Sequence, residues 1–226
     1  MAQPEPSAAP GNLARRSVSA SLMAVVSVAA AYFGSPYFDV LVAVGALILA
    51  WEWNRLCGGR PVWLAVGLVY IGLPCWALLY LRAEPAAGMH TILWLFAVVW
   101  AADTGAYVVG RAVGGPKMSP IISPKKTWSG LIGGIAAAAL VGAVVSILLE
   151  KHGIVVFSAW SAFIGAVSQG GDVVESWVKR HFGVKDTSAL IPGHGGLFDR
   201  VDGLLAAAAV VAGLDVIGKG GILSWM

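Results

Sequence analysis

Charge is what this sequence has least of: 12% of its residues are Asp, Glu, Lys or Arg, where a soluble globular chain carries about 25%. That scarcity, with 58% hydrophobic residues and a mean hydropathy of +0.79, excludes an ordinary soluble domain and points to an integral membrane protein. Cysteine is scarce too. Cys57 and Cys75 stand alone, one near a predicted membrane edge and one inside an apolar run, which excludes a disulfide framework and a cysteine-rich metal site and assigns both to packing. No GxxxxGK[ST] element is present, so a Walker-type phosphate loop is not available. His181 and His194 are too far apart for an HExxH zinc helix and neither has a cysteine near it in sequence. There is no internal repeat of the kind that builds many transporters. The net charge of +3 is small and gives no reason to expect nucleic-acid binding.

What is present is a series of apolar runs, each close to the ~20 residues needed to cross a bilayer core. They fall at 17–33, 37–55, 61–81, 91–110, 129–149, 154–174 and 203–217. The expected fold is therefore all-α: a polytopic membrane bundle of about seven spans with two long polar loops. Residues 1–14, rich in Pro and Ala and without apolar periodicity, read as a disordered leader, and 15–226 as one membrane-embedded domain. With the N-terminus inside, twelve of the fifteen basic residues lie on the cytoplasmic side and only Arg82, Lys151 and Lys219 lie outside. The positive-inside rule then places both long loops in the cytoplasm.

The first loop contains Ser123, Lys125, Lys126 and Thr127 in the run SPKKT, just before a helix start. Hydroxyls, ammonium groups and free helix amides suit a polyphosphate; a plain anchor on anionic lipid is the alternative. Asp103, inside the fourth span, is expensive in lipid and is expected to face the bundle interior or water. Glu52, three residues before Arg55, is expected to form a pair along its own helix.

The second charged region begins on the sixth span. Asp172, Glu175, Ser176 and Lys179 follow i, i+3, i+4, i+7 spacing and share one helical face. Lys179 at i+4 from Glu175 is an ordinary stabilising pair, which favours Asp172 over Glu175 as a metal ligand. Beyond it, GHGGLFDRVD presents His194, Asp199, Arg200 and Asp202, with the two aspartates at i, i+3 if the seventh helix starts there. Separated carboxylates beside Lys and Arg are what metal-assisted phosphoryl or nucleotidyl transfer requires, because hard oxygen ligands hold Mg²⁺ and cations offset phosphate charge.

Ser176, Lys179-Arg180, Lys185-Asp186, Pro192 to Gly196, Asp199-Arg200 and Asp202 together resemble the signature of the phosphatidate cytidylyltransferase (CDP-diacylglycerol synthase) family, with DTGAYVVGR and SPKKTWSG upstream in the expected order. The resemblance implies a Mg²⁺-dependent enzyme of phospholipid biosynthesis that takes CTP and phosphatidate to CDP-diacylglycerol and pyrophosphate, with K⁺ beside the magnesium in some members. It places the metal-binding aspartates on Asp172 and Asp199, gives Lys125, Lys126, Lys179 and Arg200 the triphosphate, leaves Asp186 and Asp202 either orienting those cations or ligating through water, and makes His194 a positioning residue. Ser123, Thr127, Ser176, Lys185 and Asp103 are expected on the substrate side. A homodimer in a bacterial inner membrane, its active site facing the cytoplasm, is the implied setting. The resemblance covers about 100–202, which it makes the active part of a single catalytic domain, 15–226, and the family is commonly longer in its N-terminal half. A CTP-dependent lipid kinase, a cytidylyltransferase acting on another lipid, a transporter and a lipid-binding scaffold remain as alternatives.

Overall fold

The computed structural model describes residues 10–150, 153–191 and 195–218. Among the described residues seven helices follow one another: α1 Pro10–Phe33, α2 Tyr37–Cys57, α3 Pro61–Ala83, α4 Gly88–Val113, α5 Trp128–Leu148, α6 Ile154–His181 and α7 Phe198–Ile217. The helix order matches the seven apolar runs. Five of them, α2 to α6, are long and apolar enough to cross a membrane; the apolar part of α1, Val18–Phe33, is shorter, and α7 does not reach the same standard.

Local chemistry sets the ends. Pro61 opens α3 at its first turn, where a missing amide costs nothing, and Gly58 closes α2 in the left-handed region (φ 61°), its N–H donating to Asn54 O. Thr127 caps α5, its hydroxyl accepting from Gly130 N at 3.1 Å. Two boundaries differ from expectation. Residues 10–14, read as leader, are the first turns of α1, since a proline is tolerated where a helix begins; residues 1–9 lie outside the described residues. α7 starts at Phe198 rather than 203, so it carries both Asp199 and Asp202.

Small residues bring the middle helices close. A Cβ on Gly134 would lie 2.7 Å from Ala102 O and one on Gly105 2.7 Å from Gly133 O, so α4 and α5 touch backbone to backbone. Gly165 against Ala138 joins α6 to α5, and Gly171 against Ala206 and Asp202 O joins α6 to α7. In hydrocarbon, where apolar side chains gain little by leaving lipid, this close packing is a main source of helix association. Trp94, Ile92, Leu95, Val98 and Phe157 fill the interior, and the Trp94 indole N–H is satisfied by Ser161 Oγ at 2.9 Å. Leu68, Val155 and Ile147 point outward, as lipid-facing side chains do.

The first polar loop is not wholly irregular. β1 Lys117–Ser119 and β2 Ser123–Thr127 form an antiparallel hairpin, with Lys117 opposite Thr127 and Ser119 opposite Ser123, which qualifies the all-α expectation. Trp128 N donates to Pro116 O at 3.1 Å and closes its base. The hairpin stays small because Pro120 and Pro124 withhold ladder donors. α6, at 28 residues, is about 42 Å long, longer than the ~30 Å hydrocarbon core. Asp172, Glu175 and Lys179, in its C-terminal part, lie at the level of the hairpin and the start of α7.

Candidate active site

A cavity of about 610 Å³ opens between the C-terminal parts of α4 and α6, the hairpin and the first turn of α7. Its walls carry Arg111, Lys117, Lys125, Lys126, Lys179 and Arg200 against Asp103, Asp172, Glu175, Asp199 and Asp202. Of the residues singled out from the sequence, this space brings together Asp103, Lys125, Lys126, Thr127, Asp172, Lys179, Asp199, Arg200 and Asp202. Ser123, Ser176, Lys185 and Asp186 do not line it, and Lys185 and Asp186 are exposed on the segment after α6. His194 lies outside the described residues.

Asp172, Glu175 and Asp202 offer carboxylate oxygens that all lie within 4.8 Å of one another. Such a cluster is repulsive by itself. Burial first and Asp172 second push the Asp202 carboxyl up to about 7. Lys126 answers part of the charge, its Nζ 2.6 Å from Asp172 Oδ2 and 3.3 Å from Gln169 O, while Gln169 Nε2 donates to Asp103 Oδ1 at 2.8 Å. Lys179 answers another part, 2.6 Å from both Glu175 Oε2 and Asp199 Oδ1. The i, i+4 pair of Glu175 with Lys179 is thus formed as expected. Glu175 Oε1, however, is buried and without a hydrogen-bond partner among the described residues. An orphaned carboxylate oxygen beside two further carboxylates is the donor set of a hard divalent cation.

Asp199 is not in that cluster. Its Oδ2 accepts from Thr187 N at 3.1 Å, Thr187 Oγ1 at 3.0 Å and Gly196 N at 2.8 Å, while its Oδ1 holds Lys179. Burial acts to raise its pKa, but the Lys179 and Gly196 hydrogen bonds outweigh that and hold the carboxyl below the usual aspartate range. The structure therefore groups Asp172 with Glu175 and Asp202, and gives Asp199 to Lys179 and the backbone of the preceding turn.

That turn explains the Gly-Gly pair. Gly195 has φ +85°, a conformation side chains disfavour, and Ile191 N donates to its carbonyl at 2.9 Å. Gly196 has no room for a side chain: an added Cβ would fall on Thr187 Oγ1 and within 2.6 Å of Glu52 Oε1. Glu52 corrects the sequence reading. It makes no pair with Arg55, whose guanidinium stacks over Trp51 at 5.0 Å, but is 0% exposed and accepts from Thr187, Ser188, Leu197 and Phe198. Sequence reasoning also passed over Gln169, a polar residue on the span that carries Asp172, and Thr187, which lies inside the recognised signature.

A polytopic helical membrane protein with a pocket of interleaved cations and carboxylates has the chemistry to hold phosphate groups. Comparison narrows the reading. The model of the cytidylyltransferase family matches residues 60–216, and the chain belongs to that family. It is 50% identical over 171 residues to a phosphatidate cytidylyltransferase of Brucella suis, covering 76% of this chain and 62% of that protein. A Rickettsia bellii phosphatidate cytidylyltransferase is 33% identical over 207 residues, 88% of this chain and 89% of the relative; one from Staphylococcus saprophyticus is 36% identical over 173 residues, 73% and 64%. The chain thus spans less than two thirds of the length of the Brucella protein it matches.

Proposed function

We propose that the protein is a CTP:phosphatidate cytidylyltransferase, forming CDP-diacylglycerol and pyrophosphate. The observation that carries the reading is the pocket in which Lys126, Lys179 and Arg200 stand against Asp172, Glu175 and Asp202 at the end of a membrane-spanning helix. The relatives named for this activity support it. A non-bridging oxygen of the phosphatidate phosphate attacks the α-phosphorus of CTP. The bond from that phosphorus to the bridging oxygen breaks, and pyrophosphate leaves with the electron pair. The attacking phosphate is already ionised near neutral pH, so no side chain has to remove a proton. Lys125 and Lys126 on the hairpin, with Arg111 and Arg200, bind the triphosphate and offset the charge that grows on the leaving oxygens. Asp172, Glu175 and Asp202 would hold Mg²⁺, which when bound polarises phosphate oxygens as a Lewis acid; a K⁺ ion beside it belongs to the same proposal. Asp199 adjoins this set through Lys179, and Asp103 orders Gln169 at the pocket wall.

The setting is part of the proposal: an inner membrane, the pocket facing the cytoplasm where CTP is found, and a homodimer. Purified protein in detergent is given labelled CTP, phosphatidate and Mg²⁺. Lipid-linked CMP is the expected product. A phosphorylated lipid with CDP released would replace this reading with a CTP-dependent lipid kinase.

A further inference from the structure

Asp199, Lys179 and the Gly-Gly turn are fastened to a helix far from them in sequence. Glu52 on α2 is wholly buried and receives four donors: Ser188 Oγ at 2.6 Å, Phe198 N at 2.8 Å, Leu197 N at 2.9 Å and Thr187 Oγ1 at 3.3 Å. The two amides belong to the N-terminus of α7, where free N–H groups and the helix dipole favour a carboxylate. Glu52 and Asp199 grip the same short segments from two sides. Thr187 Oγ1 is shared between Glu52 Oε2 and Asp199 Oδ2, and the Gly196 and Thr187 amides go to Asp199. Asp199 then holds Lys179, which Glu175 shares. A continuous line of hydrogen bonds and ion pairs runs from α2, outside the pocket, to the lysine in its wall.

We propose that Glu52 is a positioning residue of the reaction: it fixes Thr187, Ser188 and the start of α7, and through Thr187 and Asp199 it sets the place of Lys179 without touching substrate. The activity arm of this inference rests on the cytidylyltransferase reading. The glutamate has to be an acceptor on both oxygens, since all four of its partners are donors. Glu52→Gln keeps the shape but turns an NH₂ group toward amide or hydroxyl donors, and Thr187→Val keeps the volume but removes the shared hydroxyl.

The test uses the full chain in detergent micelles. Amide hydrogen exchange is read at Leu197 and Phe198, and kcat and KM for CTP and phosphatidate are measured for Glu52→Gln, Thr187→Val, Thr187→Ser and the Gln/Val double variant. Exchange at the two amides should rise at least about tenfold in Glu52→Gln. The kcat should fall about 10- to 100-fold, the loss expected when a supporting hydrogen bond of a catalytic group is removed, with KM for phosphatidate moving less than about threefold. Thr187→Ser should restore kcat, and the double variant should be no slower than the worse single one, because the two residues act through one connection. Unchanged exchange, a kcat within about twofold of the parent, or losses that multiply in the double variant would overturn the inference. If Glu52→Gln fails to insert, a parental kcat in Thr187→Val overturns it instead. A parent chain inactive on CTP and phosphatidate removes the functional reading alone, since the exchange arm still tests the clamp.

Discussion

Asp172 and Asp199 were equivalent as letters, two aspartates beside cations, but they do different work in the structure. Asp172 shares its space with Glu175 and Asp202 and leans on Lys126; Asp199 accepts from Lys179, from the amide and hydroxyl of Thr187 and from Gly196 N. Asp172→Asn is expected to remove turnover and weaken Mg²⁺ dependence, leaving a folded, membrane-inserted protein. Asp199→Asn is expected to be as slow at every Mg²⁺ concentration, because an amide cannot accept from Gly196, Thr187 and Lys179 together. Mg²⁺ titrations of activity separate the two outcomes; a normal rate in either variant removes that residue from the site. Asp202 adds a pH dependence. Its carboxyl, pushed up to about 7, holds a proton that a divalent cation must displace. Apparent Mg²⁺ affinity should therefore rise as pH rises through about 7 and weaken below it. Glu175, pushed up to about 9 by burial and then by Asp202, extends the rise to higher pH, and Asp202→Asn should flatten the part of the profile near 7. These distinctions were beyond the sequence, where spacing shows which residues share a face but not which oxygen is left without a partner.

At the scale of elements, the sequence was legible where the pattern was local and repetitive. The face of Asp172, Glu175, Ser176 and Lys179 on α6 followed from helical spacing, and the Glu175 to Lys179 pair is present at 2.6 Å. It failed where a local partner was offered in place of a distant one. Glu52 had Arg55 three residues away, yet its partners are 135 to 146 residues along the chain, and no periodicity announces a carboxylate that caps another helix. The hairpin was missed for a related reason: strands of 3 and 5 residues with prolines beside them carry no alternation to read. Its join to α5 is a definite element-level feature. Thr127 Oγ1 accepts from Gly130 N and contacts Ser129 Oγ at 3.0 Å, and Ser129 donates to Gly114 O. Thr127→Val should lose about 1 kcal/mol of cap stabilisation and loosen the strand that carries Lys125 and Lys126. The expected reading is a raised KM for CTP with kcat changed less, whereas Thr127→Ser should behave as the parent. Equal KM values for Thr127→Val and the parent would show that the hairpin holds its lysines without the cap.

At the scale of the whole molecule, two asymmetries define how the protein sits in a bilayer. Charge gathers at one end, where the hairpin, the last turns of α6 and the first turn of α7 meet, while the outward helical faces are apolar along α3, α5 and α6. The other end is sparse: Arg82 folds back, its Nε donating to Ala31 O at 2.6 Å, and so ties the α3 terminus to α1. That arrangement suits a reaction whose two substrates come from different phases. In the proposed reaction a nucleotide would enter from water at the charged end, and a lipid phosphate would lie at the same level because its tails would stay among the apolar faces. For the proposed reaction orientation would be a functional requirement, and the positive-inside rule gives the orientation expected. Single cysteines placed at Lys125 and Glu84, in a chain whose buried Cys57 and Cys75 are replaced by Ala, report it directly. In intact cells a membrane-impermeant maleimide should label the Glu84→Cys chain and leave Lys125→Cys unlabelled until the membrane is opened. The reverse pattern would put the charged pocket on the side away from cytoplasmic CTP, and the proposed reaction could not be supplied with its nucleotide.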